Sequence, residues 1–229
     1  MSSASATRLV LLPGLGADVR QFDPQRAALP GLEVPAWLPH WPDESLSDYG
    51  RRMAATITPS AGFCLGGSSF GGMVAQEMVR HLQPAPRAVF LIASCRSGAA
   101  LAPHLRYFVD FAGLFPERTF EAGQGATPLF VSKFGHLLPS QRMFFEEMLV
   151  AAQPAFVRWG IRAITEWLGA GELPMPVYHI HGSDDELIPC ENVHADCVIP
   201  GGGHLINVTH AGDVNAFVAE RLEAQRSGA

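Results

Sequence analysis

Short, nearly continuous apolar runs alternate along the chain with longer stretches whose apolar residues recur every three or four positions. Leu9-Val10-Leu11-Leu12, led by Arg8, predicts a strand over 8–12. A helix is predicted over 19–29, a weaker strand over 32–38 and a second helix over 46–57. Strands over 62–66 and 88–93 flank a helix over 70–82, where Met73, Val74, Met78, Val79 and Leu82 recur at helical spacing. Strands that are apolar at almost every position and separated by helices belong to a parallel sheet covered on both faces.

The alternation then stops. Residues 97–171 carry no strand pattern but aromatic-rich helical segments over 104–115, 140–152 and 154–168. Strands over 177–181 and 195–199 and a helix over 211–224 restore it. So long an interruption is no ordinary loop. It predicts an α/β core of residues 1–96 and 172–229 with a helical cap over 97–171. Pro35, Pro39 and Pro42, with Trp37 and Trp41, mark an irregular stretch after the second strand.

Composition enlarges the expected core. Hydrophobic residues fill 48% of the 229 positions and charged residues only 17%, against roughly 25% charged in an ordinary soluble domain. One core suffices at this length. The 16 basic and 22 acidic residues leave a net charge of -6, and Arg51-Arg52 is the only basic cluster. That argues against a nucleic-acid footprint and against a polybasic membrane anchor. MSSASATRLVLLPGLG has no basic region ahead of a long apolar run, so a cytoplasmic location is expected. Cys64, Cys95, Cys190 and Cys197 lack C-x-x-C spacing and read as buried thiols.

Candidate chemistry concentrates in three places. In Leu65-Gly66-Gly67-Ser68-Ser69-Phe70-Gly71-Gly72, two serines stand between a predicted strand and a predicted helix. A serine hydroxyl attacks well only when it is aimed and a base takes its proton. A sharp strand-to-helix turn aims it, provided the residues two before and two after are small enough for strand and helix to approach. Ser69 has Gly67 and Gly71 at those places, whereas Ser68 has Gly66 and the bulky Phe70. The helix N-terminus would turn N–H groups and partial positive charge toward a developing oxyanion. The rival use of such a turn is phosphate binding, but no Lys of a G-x-x-x-x-G-K-S/T loop is present in the segment.

The second place is the run from Tyr178 to Pro189, an apolar strand leading into Asp184, Asp185 and Glu186. The third is the run from Cys197 to Asn207, where His204 follows a glycine run. His179 and His181 share a strand face and could formally ligate a metal. Without a carboxylate or Cys to complete a set, they read as hydrogen-bonded core or turn residues.

With these residues in view, nearly the whole chain resembles the α/β-hydrolase fold superfamily. The resemblance rests on the loop Leu12-Pro13-Gly14-Leu15-Gly16-Ala17, the elbow Gly67-Ser68-Ser69-Phe70-Gly71, the helical stretch after the next strand, and "HGSDDELIP" and "GGGHLINVTH" in the order Ser, Asp, His. It implies an α/β-hydrolase fold with a mostly parallel sheet of about six strands, helices on both faces and a helical cap insertion. It also implies Ser69 as nucleophile and His204 as base. Asp185 becomes the acid, three residues after the Gly of an H-G-x-x-D motif, ahead of Asp184 and Glu186. The oxyanion would meet the backbone N–H groups of Leu15 and Phe70; Pro13 stands where the family usually has His, a change that a backbone donor tolerates.

The function so implied is a serine hydrolase of the carboxylesterase kind, cleaving a small-to-medium carboxylic ester or thioester through an acyl-enzyme. It requires no metal and no organic cofactor. The expected partner is a small-molecule acyl substrate with an apolar portion, with no nucleic acid and no membrane involved. The same triad also serves carbon-carbon hydrolases, peptidases and lyases, and a non-catalytic ligand-binding protein could keep the pocket. Phe108, Phe111, Phe115 and Phe130, with Phe134, Phe144, Phe145, Trp159 and Trp167, would either wall the pocket or pack the cap onto the sheet.

Overall fold

The computed structural model describes residues 7–103 and 134–227. Its sheet consists of β1 (Leu9–Leu12), β2 (Leu32–Glu33), β3 (Cys64–Ser68), β4 (Val89–Ile92), β5 (Val177–Gly182) and β6 (Cys197–Ile199). They run in the order β2-β1-β3-β4-β5-β6, with every neighbouring pair parallel. The chain moves from β1 outward to β2 and then returns past β1 to β3. The loops leaving β1 and β3 therefore lie side by side at a topological switch point, where open α/β sheets place ligands.

The described helices are α1 (Asp23–Arg26), α2 (Leu46–Ala54), α3 (Phe70–Met78), α4 (Pro139–Ala151), α5 (Pro154–Glu166), α6 (Ile206–Thr209) and α7 (Ala211–Ser227). Successive strand residues face opposite sides of a sheet. Val10, Leu12, Leu65, Val89 and Leu91 accordingly pack with α2, α3 and α5. Leu9, Leu11, Phe90, Ile92 and Ile180 pack with Phe22 and with Val214, Phe217, Val218 and Leu222 of α7. Burial on both faces explains why the strands read as unbroken apolar runs.

Several predicted boundaries move. The strand expected over 32–38 shrinks to Leu32–Glu33 at the sheet edge, because Pro35 and Pro39 have no N–H for a ladder. The helix expected over 19–29 becomes a 3-10 turn, Val19–Phe22, followed by Asp23–Arg26 with Pro24 in its first turn. The strand expected over 62–66 starts at Cys64 and runs on to Ser68, since Gly62 has φ 79 and belongs to the preceding turn. The helix expected over 70–82 stays α-helical only to Met78 and then tightens into a 3-10 turn. The helix expected over 46–57 ends at Ala54; Ser45 caps its start by accepting from the Asp48 N–H at 3.1 Å. The short helix α6, directly after His204, was not expected.

Between β4 and β5 the described residues form α4 and α5 and no strand. The helix expected over 104–115, with Phe108, Phe111 and Phe115, lies outside the described residues, as does Phe130. Among the described residues, no helix is long and apolar enough to cross a membrane. Cys64 and Cys95 are buried, but Cys190 and Cys197 are partly exposed, a correction that follows from their places in the loop after β5 and on the edge strand β6.

Candidate active site

Ser69 occupies the turn between β3 and α3, at φ 52 and ψ -121. Positive φ strains a residue with a Cβ, and the surroundings hold it there. Its N–H donates to the Ile92 carbonyl at 2.9 Å, and its carbonyl accepts from the Ser94 hydroxyl at 2.7 Å. A Cβ at Gly67 would collide with the backbone of Gly71, and one at Gly71 with the carbonyls of Leu12 and Pro13. Glycine at both positions is thus what lets β3, α3 and the end of β1 come together. Ser68 is fully buried and points elsewhere; its hydroxyl lies 3.3 Å from Gln21 Nε2.

His204 bridges Ser69 and an acid. Its Nε2 lies 2.8 Å from Ser69 Oγ and its Nδ1 2.7 Å from Asp185 Oδ2. A carboxylate only accepts, so Nδ1 carries the proton and Nε2 offers its lone pair to the serine hydroxyl. Asp185 and His204 are 4% and 3% exposed, which keeps the hydrogen bond between them out of water. The other carboxylate oxygen accepts from the N–H groups of Leu187 and Ile188, each at 2.9 Å. Burial pushes the Asp185 carboxyl up. The charge of His204 and the hydrogen bonds from His181, His204 and the Ile188 N–H outweigh it and hold the group well below the usual carboxylate range. Asp184 and Glu186, the competing acids, are exposed.

The loops after β5 and β6 are tied together, which is why residues so far apart in sequence meet. The Asp184 N–H donates to the Gly202 carbonyl at 2.8 Å, and a side chain at Gly182 would strike that carbonyl. From the stretch between β4 and β5, the Phe134 carbonyl accepts from the His204 N–H at 3.0 Å, and the Phe134 ring stands edge-on to the imidazole at 5.5 Å.

The first loop reaches the same place. A Cβ at Gly14 would lie 3.8 Å from that of Ser69, and both Leu15 and Ser69 are partly exposed. Phe70 opens α3, where the first N–H groups have no partner within the helix. The loop is held by residues that sequence reasoning missed. The Gly14 N–H donates to Gln21 Oε1 at 2.6 Å, and Gln21 Nε2 lies 3.4 Å from Asn207 Oδ1. Asn207 Nδ2 returns a bond to the Gln21 carbonyl at 2.9 Å, and Gln25 Nε2 donates to the Asn207 carbonyl at 2.7 Å. Local periodicity cannot find partners so distant; the available signal was an excess of amides, Gln21, Gln25 and Asn207, beside apolar runs.

The expected aromatics divide. Phe134 and Phe145 pack on each other at 4.8 Å beside His204, and Phe144 sits under the Arg20 guanidinium at 5.8 Å. Trp159 and Trp167 are buried, with Nε1 donating to the Glu44 carbonyl at 3.0 Å and to Glu77 Oε1 at 2.7 Å. These two pack core rather than wall. His179 and His181 meet at 3.1 Å between Nε2 and Nδ1, in the core as expected. Among the described residues, no group of three or more His, Cys, Asp or Glu is placed to hold a metal ion.

A parallel sheet whose switch-point loops bring a strained elbow serine to a buried His and Asp defines the α/β-hydrolase class. The model of the alpha/beta hydrolase family matches residues 9–217, and the chain belongs to that family. Among solved structures, it is similar to a thermophilic esterase from Thermogutta terrifontis, at 16% identity and TM-score 0.76, covering 97% of this chain and 91% of that one. It is also similar to the enol-lactonase from Burkholderia xenovorans LB400, at 16% identity and TM-score 0.76 over 97% and 94% of the two chains. MenH from S. aureus aligns at 15% identity and TM-score 0.69, covering 98% and 96%. At these identities the likeness is one of fold. No curated protein matches the sequence.

Proposed function

We propose that the protein is a serine hydrolase that cleaves small-to-medium carboxylic esters or thioesters through an acyl-enzyme, with Ser69, His204 and Asp185 as its catalytic triad. The observation that carries this reading is the buried imidazole placed 2.8 Å from Ser69 Oγ and 2.7 Å from Asp185 Oδ2.

Ser69 Oγ bonds to the acyl carbon as its proton passes to His204 Nε2. Asp185 holds the ring tautomer and offsets the charge that forms on it. The carbonyl oxygen becomes an oxyanion facing the N–H groups of Leu15 and Phe70. A donor of this kind is typically worth about 2.7–4 kcal/mol of barrier. Collapse breaks the bond to the leaving oxygen or sulfur, which takes the proton from His204. Water then repeats the sequence and releases the acid.

Residues 97–171 act as the cap over a core of 1–96 and 172–229. In support, α4 and α5 lean on the first loop: a Cβ at Gly16 would meet Leu149 Cδ2 at 2.6 Å, and one at Gly160 would strike Leu15. Phe134, Phe145 and Leu149 give the acyl side of the site an apolar character, suited to a substrate with an apolar portion.

Short-chain p-nitrophenyl esters and thioesters test this. Wild type should turn them over with an acyl burst, and Ser69→Ala and His204→Ala should each lower kcat by about 10⁴-fold or more. Equal turnover by either variant overturns the proposal.

A further inference from the structure

Gln21 takes no part in the proposed chemistry, yet its side chain meets the segments that carry Leu15, Ser69 and His204. It is 1% exposed, and Ser68 and Asn207 are fully buried. Its Oε1 accepts at 2.6 Å from the N–H of Gly14, the neighbour of Leu15. Its Nε2 lies 3.3 Å from Oγ of Ser68, the neighbour of Ser69, and 3.4 Å from Oδ1 of Asn207, on the helix that follows His204. The orientation of both amides is forced. A backbone N–H only donates, so Oε1 must face Gly14 and Nε2 must face the other two. Asn207 Nδ2 donates to the Gln21 carbonyl at 2.9 Å, which leaves Asn207 Oδ1 as the acceptor for Gln21 Nε2.

These bonds decide where the Leu15 N–H points. The Gly14 carbonyl accepts from the Ala17 N–H at 3.1 Å, across a turn in which Gly16 has φ 77. In a trans peptide the N–H points away from the C=O it is joined to, so the bond from Ala17 directs the Leu15 N–H to the opposite side. Gln21 holds the other end of Gly14, whose Cβ, if it had one, would lie 3.8 Å from that of Ser69. With its N–H and its C=O both held, Gly14 cannot turn without breaking a hydrogen bond, and the Leu15 N–H keeps one direction.

We infer that Gln21 is a positioning residue: anchored on Asn207, it holds the Gly14 N–H and thereby sets the Leu15 N–H relative to Ser69 and His204. It is buried away from the substrate and acts through Gly14. A misplacement of about 1 Å at a distance from the chemistry can cost about 10²-fold in rate. The loss falls on the transition state, because the oxyanion exists there and not in the bound ester. A neutral amide suits the place, since it accepts from Gly14 and donates to Asn207 at once. Methionine would fill the same space with a thioether that accepts only weakly and donates nothing.

This inference rests on the serine-hydrolase reading above, and its test separates the two. An alkyl trifluoromethyl ketone reports on the oxyanion without turnover: Ser69 Oγ adds to its carbonyl carbon, the hydroxyl proton passes to His204 Nε2, and the oxygen remains an oxyanion because no group leaves. In Gln21→Met, kcat for a p-nitrophenyl ester should fall about 10²-fold and Ki for the ketone should rise by about the same factor, with KM changed by no more than about twofold. A merely structural role would shrink the active fraction, lowering kcat and leaving Ki alone; that result, or an unchanged kcat, overturns the inference. If Gln21→Met does not fold, Asn207→Asp decides. It keeps the shape and the acceptor for Gln21 Nε2 but loses the bond to the Gln21 carbonyl, so kcat should fall and Ki rise together; an unmoved Ki overturns the inference. Wild type that neither turns over the ester nor binds the ketone sinks the serine-hydrolase reading and this inference with it, whereas wild-type turnover with an unmoved Ki in the variants sinks this inference alone.

Discussion

At the scale of single residues, the geometry of the site depends on a few side chains that must be absent as much as on those that are present. Gly67 and Gly71 leave no room for a Cβ where β3, α3 and the end of β1 converge. Gly67→Ala should therefore lower stability by about 1–3 kcal/mol, the usual range for overpacking, and reduce ester turnover by a further factor not explained by unfolding. Urea denaturation alongside kcat/KM of the folded fraction checks both. The choice of Ser69 over Ser68 was legible because it needed only the spacing of glycines in one pentapeptide. Asp185 among three consecutive acids was legible only through resemblance, because burial selects it and burial is a tertiary fact. Gln21 and Asn207 were not legible at all, since each depends on a partner from another loop.

At the scale of elements, the strands were readable and their ends were not. β1 and β4 are apolar at every position because both faces are covered, so periodicity found them nearly residue for residue. β3 runs two residues further than expected, through Gly67 and Ser68, where α3 leaves no room for a Cβ at Gly67. Apolarity alone cannot register that. The helices α4 and α5 also carry a consequence for the first loop. Gly160 of α5 stands against Leu15, where a methyl group would collide with the side chain. Gly160→Ala should displace Leu15 and lower kcat about tenfold with little change in melting temperature, whereas a cap that merely shields the core would lose stability and keep its rate. Steady-state kinetics with a melting curve tells these apart.

At the scale of the whole molecule, buried titratable groups set the pH range of stability. His179 is 2% exposed, and burial first, then the charge of His181, lowers it from 6.5 to about 4. The unfolded chain takes up this proton near 6.5 and the folded chain only near 4. Stability present above 6.5 is thus lost as pH falls through that window, by about 3 kcal/mol in full. Burial raises the thiols of Cys64 and Cys95 from 9.0 to about 11 and about 12. Stability present below 9 is lost as pH rises through those values. Melting temperature against pH should show a plateau between the two limbs, and His179→Gln should flatten the acid limb alone; an unchanged acid limb would contradict the assignment.

The central claim is that Ser69 is an activated nucleophile, and covalent capture tests it most directly. A fluorophosphonate bonds to serine only when a base removes the hydroxyl proton and an oxyanion can be held. Incubation of wild type followed by peptide mapping should place a single adduct on Ser69, with none in Ser69→Ala and with labelling retained in Ser68→Ala. An adduct that persists in Ser69→Ala, or that maps to Ser68, contradicts the account.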